Sequence, residues 1–185
     1  MTARKPELIA VDGIAGAAIV SAARAALTAL DGNKRSGISH WDASGVFEEL
    51  GVAGDGAGHP SVRTLLLLYA ADLAFRLRWE IRPALTEGRS VVAAPYVDTA
   101  VAFGRAAGID PAWLTNLFLF APRPTARRFV GGIAVRSGRR GGFVEFGFAQ
   151  ISSEMRGTTL TEVVERMTAH LRATAKRYRV PADKV

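Results

Sequence analysis

The first residues with the spacing for chemistry lie in a glycine-containing turn near the N-terminus, Asp12-Gly13-Ile14-Ala15-Gly16-Ala17. The turn follows an apolar run that ends at Val11 and opens an alanine-rich helical pattern. Strand, glycine turn and helix form the context of a phosphate-binding P-loop, in which backbone N–H groups and a helix N-terminus point at an anion. The segment therefore predicts a phosphate loop over residues 13–20.

The side chains that such a loop uses for phosphoryl transfer are missing here. A working loop places a lysine on the β- and γ-phosphates and a Ser or Thr hydroxyl on magnesium. Ile19 and Val20 occupy these two positions, and Ala18 replaces the last glycine. We expect a remnant of the loop (Gly13, Gly16, Ala18, Ile19 and Val20) with no catalytic residue and no ATP or magnesium cofactor.

Alternating strand and helix patterns position this loop, which is typical of an α/β fold. A strand over 7–12 precedes it and a helix over 17–30 follows. The next predicted segments are a loop over 34–40, a short helix capped by Asp42 or Ser44 and ending at Leu50, a glycine-rich loop over 51–58, and a long helix over 60–86. A strand over 89–94, a helix capped by Asp98 and ending at Ala107, and a helix from Asp110-Pro111 to Phe120 come after them.

The last third changes character after Pro122 and Pro124. Two strands, over 127–135 and 142–151, are predicted as a hairpin joined by a basic turn. A final helix is marked by a capping box of Thr159 and Glu162 and ends before Pro181. Its apolar stripe comprises Leu160, Val163, Val164, Met167, Leu171, Ala175 and Tyr178.

The long helix over 60–86 is apolar around its whole circumference between Leu65 and Ala71. A helix with this composition is buried on all sides. In a small α/β domain we expect a second subunit to cover its outer face.

Composition predicts one domain, because 185 residues with 49% apolar content suffice for a sizeable core. Residues 1–122 carry 11 Lys and Arg against 12 Asp and Glu, whereas residues 123–185 carry 13 against 5. The excess positive charge therefore lies in the last third, which favours an anionic partner or, alternatively, a solvated basic face. Nucleic-acid binding would rest on charge alone, since no recognised motif accompanies it, and we do not expect it.

Metal, disulfide and membrane chemistry have no support in the sequence. The chain has no cysteine, and its three histidines, His40, His59 and His170, lack metal-ligand spacing. The N-terminus has no signal-peptide pattern, and the longest apolar run is too short to cross a bilayer. We expect a soluble cytoplasmic protein with no bound metal and no membrane partner.

The order of motifs resembles thymidylate kinase, a family of P-loop nucleoside monophosphate kinases. Four segments carry the resemblance: Asp12–Ala17, Leu66–Leu73, Ile81–Gly88 with Val91-Val92, and Ala94–Phe103. The resemblance covers roughly residues 7–125 and implies a three-layer, P-loop NTPase-like parallel sheet flanked by helices. We expect a single domain over 1–185, with a family-like core to residue 125 and a divergent β-ribbon and helix over 126–185.

The resemblance also divides the family's functional positions into lost and retained ones. The loop lysine falls on Ile19, the hydroxyl ligand on Val20, the loop carboxylate on Ala15, the Asp-Arg pair on Ala94 and Pro95, and the acceptor-phosphate arginine on Leu73. The residues left for an acceptor-nucleotide pocket are Tyr69, Asp72, Tyr96, Asp98 and Phe103. Tyr69 stands where the family stacks an aromatic ring on thymine; as an alternative, Tyr69 and Phe103 are plain core residues.

Two functions from different classes follow. The first is a catalytically inactive protein that acts as a scaffold or interaction module and forms a homodimer through the 60–86 helix, as the resemblance implies. The alternative is a nucleotide-binding protein or dTMP-type nucleoside monophosphate kinase that keeps the acceptor pocket, with ATP and magnesium as cofactors. In that case Arg136, Arg139 and Arg140 would bind the phosphates; otherwise they form an exposed hairpin turn that charge keeps soluble.

Overall fold

The computed structural model describes residues 5–30, 36–47, 49, 60–131 and 158–180. Its centre is a four-stranded sheet in the order β2–β3–β1–β4, in which all neighbouring strands run parallel. The strands are β1 (Leu8–Gly13), β2 (Gly37–His40), β3 (Val91–Ala94) and β4 (Ala126–Val130). This is the parallel α/β sheet that the sequence predicts.

Helices follow the strands in chain order. They are α1 (Gly16–Ala29), α2 (Val62–Arg76), α3 (Arg82–Thr86), α4 (Val97–Ala106), α5 (Pro111–Leu117) and α6 (Leu160–Arg177). A π-helical turn, Leu77–Ile81, joins α2 to α3. The helix predicted over 60–86 is therefore continuous, with one π-helical turn between two α-helical segments. In the described part of the chain, no helix is long and apolar enough to span a bilayer.

Two hydrophobic cores cover the two faces of the sheet, because successive strand residues point to opposite sides. Ile9 and Val11 of β1 face α1 and pack with Ile19 and Ala23. Leu8 and Ala10 face the other way, into the larger core that α2, α4 and α6 share. The sheet is therefore the middle of three layers.

The prediction of a loop over residues 34–40 was wrong for its second half. Residues 37–40 form β2, which pairs with β3 from Gly37–Val91 to His40–Ala94. The segment has little strand propensity, and its backbone pairing with β3 outweighs that weak local preference.

Asp98 was predicted to cap the helix that follows β3, and this is wrong. The helix begins at Val97, with Tyr96 at its N-cap, and Asp98 lies inside the first turn. The capping carboxylate comes from a distant part of the chain instead. Asp12, at the end of β1, accepts hydrogen bonds from the N–H groups of Tyr96 at 2.9 Å and Thr99 at 3.0 Å.

The outer face of α2 is exposed in the single chain, and its predicted covering by a second subunit stays a prediction. Its side chains Leu67, Phe75 and, on the π-helical turn, Trp79 are 53%, 39% and 65% exposed. The opposite face is buried in the larger core, where Leu65, Leu66 and Leu73 lie. The apolar circumference therefore divides into a core face and an uncovered face.

The remaining helix caps were predicted correctly. The Asp110 carboxylate accepts from the N–H of Trp113 at 2.8 Å, and Asp42 does the same for Phe47 at 2.8 Å. Thr159 and Glu162 bond each other's backbone N–H reciprocally at the start of α6. Four members of the predicted α6 stripe are buried, namely Val163, Met167, Leu171 and Ala175, whereas Tyr178 is 47% exposed.

The first strand of the predicted ribbon is part of the central sheet. β4 pairs with β1 in parallel, from Ile9–Ala126 to Gly13–Val130, so the core sheet extends beyond residue 125. The second predicted strand, over 142–151, and the glycine-rich loop over 51–58 lie outside the described residues.

Candidate functional site

The candidate site lies at the carboxyl ends of β1 and β3, where α1 and α4 begin. Ligands of open parallel α/β sheets bind in the crevice beyond the carboxyl ends of the strands. Only Ile14 and Ala15 separate the last residue of β1 from the first of α1, and both are buried, with 3% and 4% exposure. The turn that was predicted as a phosphate loop is therefore short and enclosed.

Gly13 is packed too closely for a side chain, and its backbone is already bonded. A Cβ atom there would lie 2.6 Å from Val130 Cγ2 and 2.7 Å from the Val130 carbonyl oxygen. Its N–H donates to Thr99 Oγ1 at 3.0 Å, and its carbonyl accepts from the same hydroxyl at 3.1 Å. This glycine accommodates the approach of β4, and its N–H is directed at α4.

Ile19, at the position of the family's loop lysine, points into the protein. It is 1% exposed and belongs to the core between α1 and the sheet. Its N–H bonds the carbonyl of Ala15 at 2.9 Å, as in an ordinary helix turn. Gly16 is buried, whereas Ala18 and Val20 are half-buried. None of these five loop positions supplies a charged or hydroxyl side chain.

Asp12 is the ionisable group of this region, and sequence reasoning treated it only as part of the turn. It is 1% exposed, and burial, with the nearby Asp98 carboxylate, raises its pKa to about 7 despite hydrogen bonds from Thr99 and Tyr96. A carboxyl group with a pKa near neutrality can exchange a proton under physiological conditions. Its two backbone bonds to α4 give it a capping role as well.

The predicted acceptor-pocket aromatics are core residues in this structure. Tyr69 is fully buried, its hydroxyl donates to the Tyr96 carbonyl, and Phe118 and Trp41 flank its ring at 6.1 Å and 6.5 Å between centroids. Tyr96 is 1% exposed, and its hydroxyl donates to the carbonyl of Pro122 at 2.8 Å. Phe103 is fully buried in the same core.

Asp72 is also buried and bonded by its neighbours. Its carboxylate accepts from the N–H of Asp42 at 3.0 Å and, at Ser44, from the N–H at 3.1 Å and the hydroxyl at 2.8 Å. Arg76 Nη1 lies 3.9 Å away, one helical turn along α2. The carboxylate therefore fixes the segment after β2.

Arg76 was missed by the sequence analysis, although it lies three residues after Leu73 on the same side of α2. Its side chain is fully buried, and it donates to the carbonyls of Ser39 at 2.8 Å and Pro95 at 3.0 Å. Its Nε donates to the Ser39 hydroxyl, which in turn donates to Glu80 at 2.6 Å. The sequence offers only a weak signal for this burial, since positions 73 and 76 lie on neighbouring sides of one helix.

Asp98 is the remaining candidate pocket residue. It forms an ion pair with Arg127 of β4, whose guanidinium lies 4.2 Å from the centre of the Tyr178 ring. Burial raises the pKa of Asp98, although Arg127 opposes the shift. The structure thus brings Tyr69, Tyr96 and Asp12 together. Asp98 is near enough to Asp12 to raise its pKa, but its ion-pair partner is Arg127 of β4. Arg136, Arg139 and Arg140 lie outside the described residues.

Comparisons with known proteins agree with this architecture. No protein-family model matches the chain. The chain is 43% identical over 58 residues to a probable thymidylate kinase of Pyrococcus horikoshii, a stretch that covers 31% of this chain and 28% of that protein. It is 40% identical over 65 residues to a thymidylate kinase of Clavibacter sepedonicus, covering 35% and 31%. The matched stretch thus spans about a third or less of these relatives.

The fold is similar to that of a solved structure along most of the chain. A crystal structure of thymidylate kinase from Ehrlichia chaffeensis superposes with a TM-score of 0.67 at 15% identity, covering 95% of this chain and 84% of that one. The resemblance stated from the sequence is confirmed: the chain is thymidylate kinase-like and has the P-loop NTPase fold.

Proposed function

We propose that this thymidylate kinase-like chain does not transfer phosphate and acts as a dimeric scaffold or interaction module in the cytoplasm. The observation that carries the proposal is the environment of Ile19. Phosphoryl transfer consists almost entirely of positioning and charge stabilisation. At the lysine position this chain has a buried aliphatic side chain in the α1 core.

The lost donors are expected to act together. Removing one preorganised donor commonly costs about 10²–10³ in rate. Here the lysine and hydroxyl positions hold Ile19 and Val20, and the Asp-Arg pair is replaced by Ala94 and Pro95. An apolar wall facing a polyphosphate leaves its charges unpaired, which opposes binding as well as catalysis.

The packing of the acceptor region supports the same proposal. Tyr69 and Tyr96 use their hydroxyls on backbone carbonyls, and their rings are enclosed. Arg76 donates to the carbonyls of Ser39 and Pro95 rather than pointing to solvent. A nucleotide would have to displace these internal contacts in order to enter.

The uncovered face of α2 supports the dimer. Leu67, Ala71, Phe75 and Trp79 are exposed and recur every four residues along one side of the helical run. Exposed apolar surface of this kind commonly marks an interaction site. A second copy of the chain would cover this stripe with its own equivalent face, since two-fold interfaces use the same patch on both subunits.

The enzymatic part of the proposal is tested by a thermal-shift titration with ATP, ADP, dTMP and dUMP, with and without magnesium. A bound nucleotide raises the melting temperature by mass action. We expect no shift at millimolar ligand and no magnesium-dependent ADP formation from ATP and dTMP. A magnesium-dependent shift with ATP, accompanied by turnover, would overturn the proposal.

The second candidate function is a nucleotide-binding protein or dTMP-type nucleoside monophosphate kinase, using ATP and magnesium. It is favoured by the local identity to proteins named as thymidylate kinases. A thermal shift with dTMP alone, retained in Tyr69→Phe and abolished when Tyr69→Leu removes the aromatic ring, would support a retained acceptor pocket. The same titration therefore separates the two functions.

The dimer is tested by light scattering on the full chain and on Leu67→Glu/Trp79→Glu. We expect a dimer for the wild type and a monomer for the double variant, because two buried carboxylates oppose association. Leu119→Glu is the matched control, since Leu119 is 77% exposed and lies outside the stripe. A monomeric wild type would refute this part.

A further inference from the structure

A cavity between α4, α5 and α6 lies outside the phosphate-loop remnant and the proposed dimer face, and it shares Asp98 with the residues considered for the acceptor pocket. Its volume is about 340 Å³, at the lower end of the range of about 300–1,000 Å³ for small-molecule pockets. Asp98, Val101 and Arg105 line it from α4, on a different side of that helix from the buried Thr99 and Phe103. Its lining includes Asp98, Arg105, Leu114, His170, Arg177 and Tyr178.

The lining carries uncompensated positive charge. Arg105 and Arg177 line the cavity, and neither has an ion-pair partner among the residues that the structure describes. The acidic member of the lining, Asp98, is already paired with Arg127. A cavity lined by a paired carboxylate and by two guanidinium groups that have no acidic partner in the described part of the chain is suited to an anion.

Arg105 and His170 both line this cavity and lie close enough for their charges to interact. Burial, with the positive charge of Arg105 nearby, lowers the pKa of His170. The positive charge of Arg105 therefore disfavours protonation of His170, and an anion bound to both groups would offset that effect. Guanidinium and imidazole N–H groups are also the donors that phosphate oxygens accept most readily.

The cavity is longer than a phosphate group. His170 and Arg177 both line it and are seven residues apart on α6, which corresponds to about 10 Å along the helix. Thr115 and Thr174 add hydroxyls to the lining, while Val101 and Leu114 add apolar surface. A lining that combines cationic, hydroxyl and apolar side chains fits a phosphate group attached to a small organic body.

We propose that this cavity binds a small phosphate monoester, with the phosphate held by Arg105 and His170 and the organic body extending toward Arg177. The site is separate from the phosphate-loop remnant and does not depend on whether the chain transfers phosphate.

The test is an NMR titration of the full chain with ribose 5-phosphate, with the imidazole signals of His170 as the local reporter and those of His40 as the reference. We expect a saturable shift of the His170 signals that ribose alone does not produce. Arg105→Gln should weaken binding at least about tenfold, because a charge-assisted contact is lost. Arg24→Gln, an exposed arginine on α1, is the matched control and should bind as the wild type does.

Three results would contradict the proposal. The absence of a saturable shift at about 10 mM ribose 5-phosphate would overturn the site, because binding that weak is not specific. Unchanged affinity in Arg105→Gln would overturn it as well, because Arg105 would then not contact the phosphate. Equal affinity for inorganic phosphate and ribose 5-phosphate would overturn the ester assignment. Arg105 is exposed, so its variant is expected to keep the wild-type circular dichroism spectrum and melting temperature.

Discussion

Asp12 and Thr99 join the end of β1 to the start of α4. The Asp12 carboxylate accepts from the Thr99 N–H at 3.0 Å, and the Thr99 hydroxyl accepts from the N–H of Gly13, the residue after Asp12, at 3.0 Å. Both partners are buried. This contact places the first turn of α4 against the turn that would otherwise open toward a phosphate.

The Asp12 carboxyl group predicts a pH dependence of stability. Its pKa is raised to about 7 in the folded chain, against 3.8 in the unfolded chain, so folding favours the protonated form. The free energy of unfolding should therefore fall as pH rises through the window from about 4 to 7, by up to about 1.4 kcal/mol per pH unit, and level off above it.

Denaturant titrations of the wild type and of Asp12→Asn across this window measure the effect. The asparagine oxygen can still accept the two backbone bonds but does not titrate, so the variant should lose this fall in stability. Asp110→Asn keeps a capping side chain at an exposed helix start and serves as the control. Parallel pH profiles for wild type and Asp12→Asn would contradict the prediction.

Gly13→Ala should destabilise the chain by about 2 kcal/mol or more. The added Cβ would meet Val130 Cγ2 at 2.6 Å and the Val130 carbonyl at 2.7 Å, and overpacking against backbone cannot be relieved by a rotamer change. Gly37→Ala is the matched control, since a Cβ there meets nothing within 4 Å. Urea unfolding of both variants measures the difference in stability. Equal urea midpoints would contradict the prediction and show that β4 shifts to accommodate the added Cβ.

The sequence was sufficient to predict the alternating elements and the caps that depend on neighbouring residues. Asp110 and Thr159 cap helices that begin within three residues, so the pattern is visible locally. β2 and the Asp12 cap were not predictable in this way, because each depends on a partner roughly 50 to 90 residues distant.

The same distinction applies to the candidate site. The loss of the loop lysine is plain from Ile19 alone, as a property of one position. The use of Tyr69 and Tyr96 as core residues depends on which carbonyls their hydroxyls reach. Those carbonyls belong to Tyr96 and Pro122, which are 27 and 26 residues away from the hydroxyls they accept from, and periodicity along one helix does not identify such partners.

Arg76→Met should cost about 3–5 kcal/mol of stability, the usual effect of removing one partner from a buried charged network. The change would leave the carbonyls of Ser39 and Pro95 and the carboxylate of Asp72 without their guanidinium partner. Arg78→Met, on the exposed side of the π-helical turn, is the control and should change stability by less than about 1 kcal/mol. Chemical denaturation gives both values, and a loss in Arg76→Met no larger than in Arg78→Met would show that water replaces the guanidinium.

Ile19→Lys should unfold or strongly destabilise the chain rather than restore a phosphate site. The side chain is 1% exposed and packs among apolar side chains of the α1 core, where a lysine ammonium would be desolvated. We expect a loss of at least about 3 kcal/mol, the scale of burying an unpaired charge. Ala25→Lys, at an exposed position of the same helix, should lie within about 0.5 kcal/mol of the wild type. Circular dichroism melts measure both variants, with ATP and magnesium added in parallel samples. If Ile19→Lys melts like the wild type and gains stability from ATP and magnesium, the lysine has reached a phosphate-binding position and the prediction is wrong.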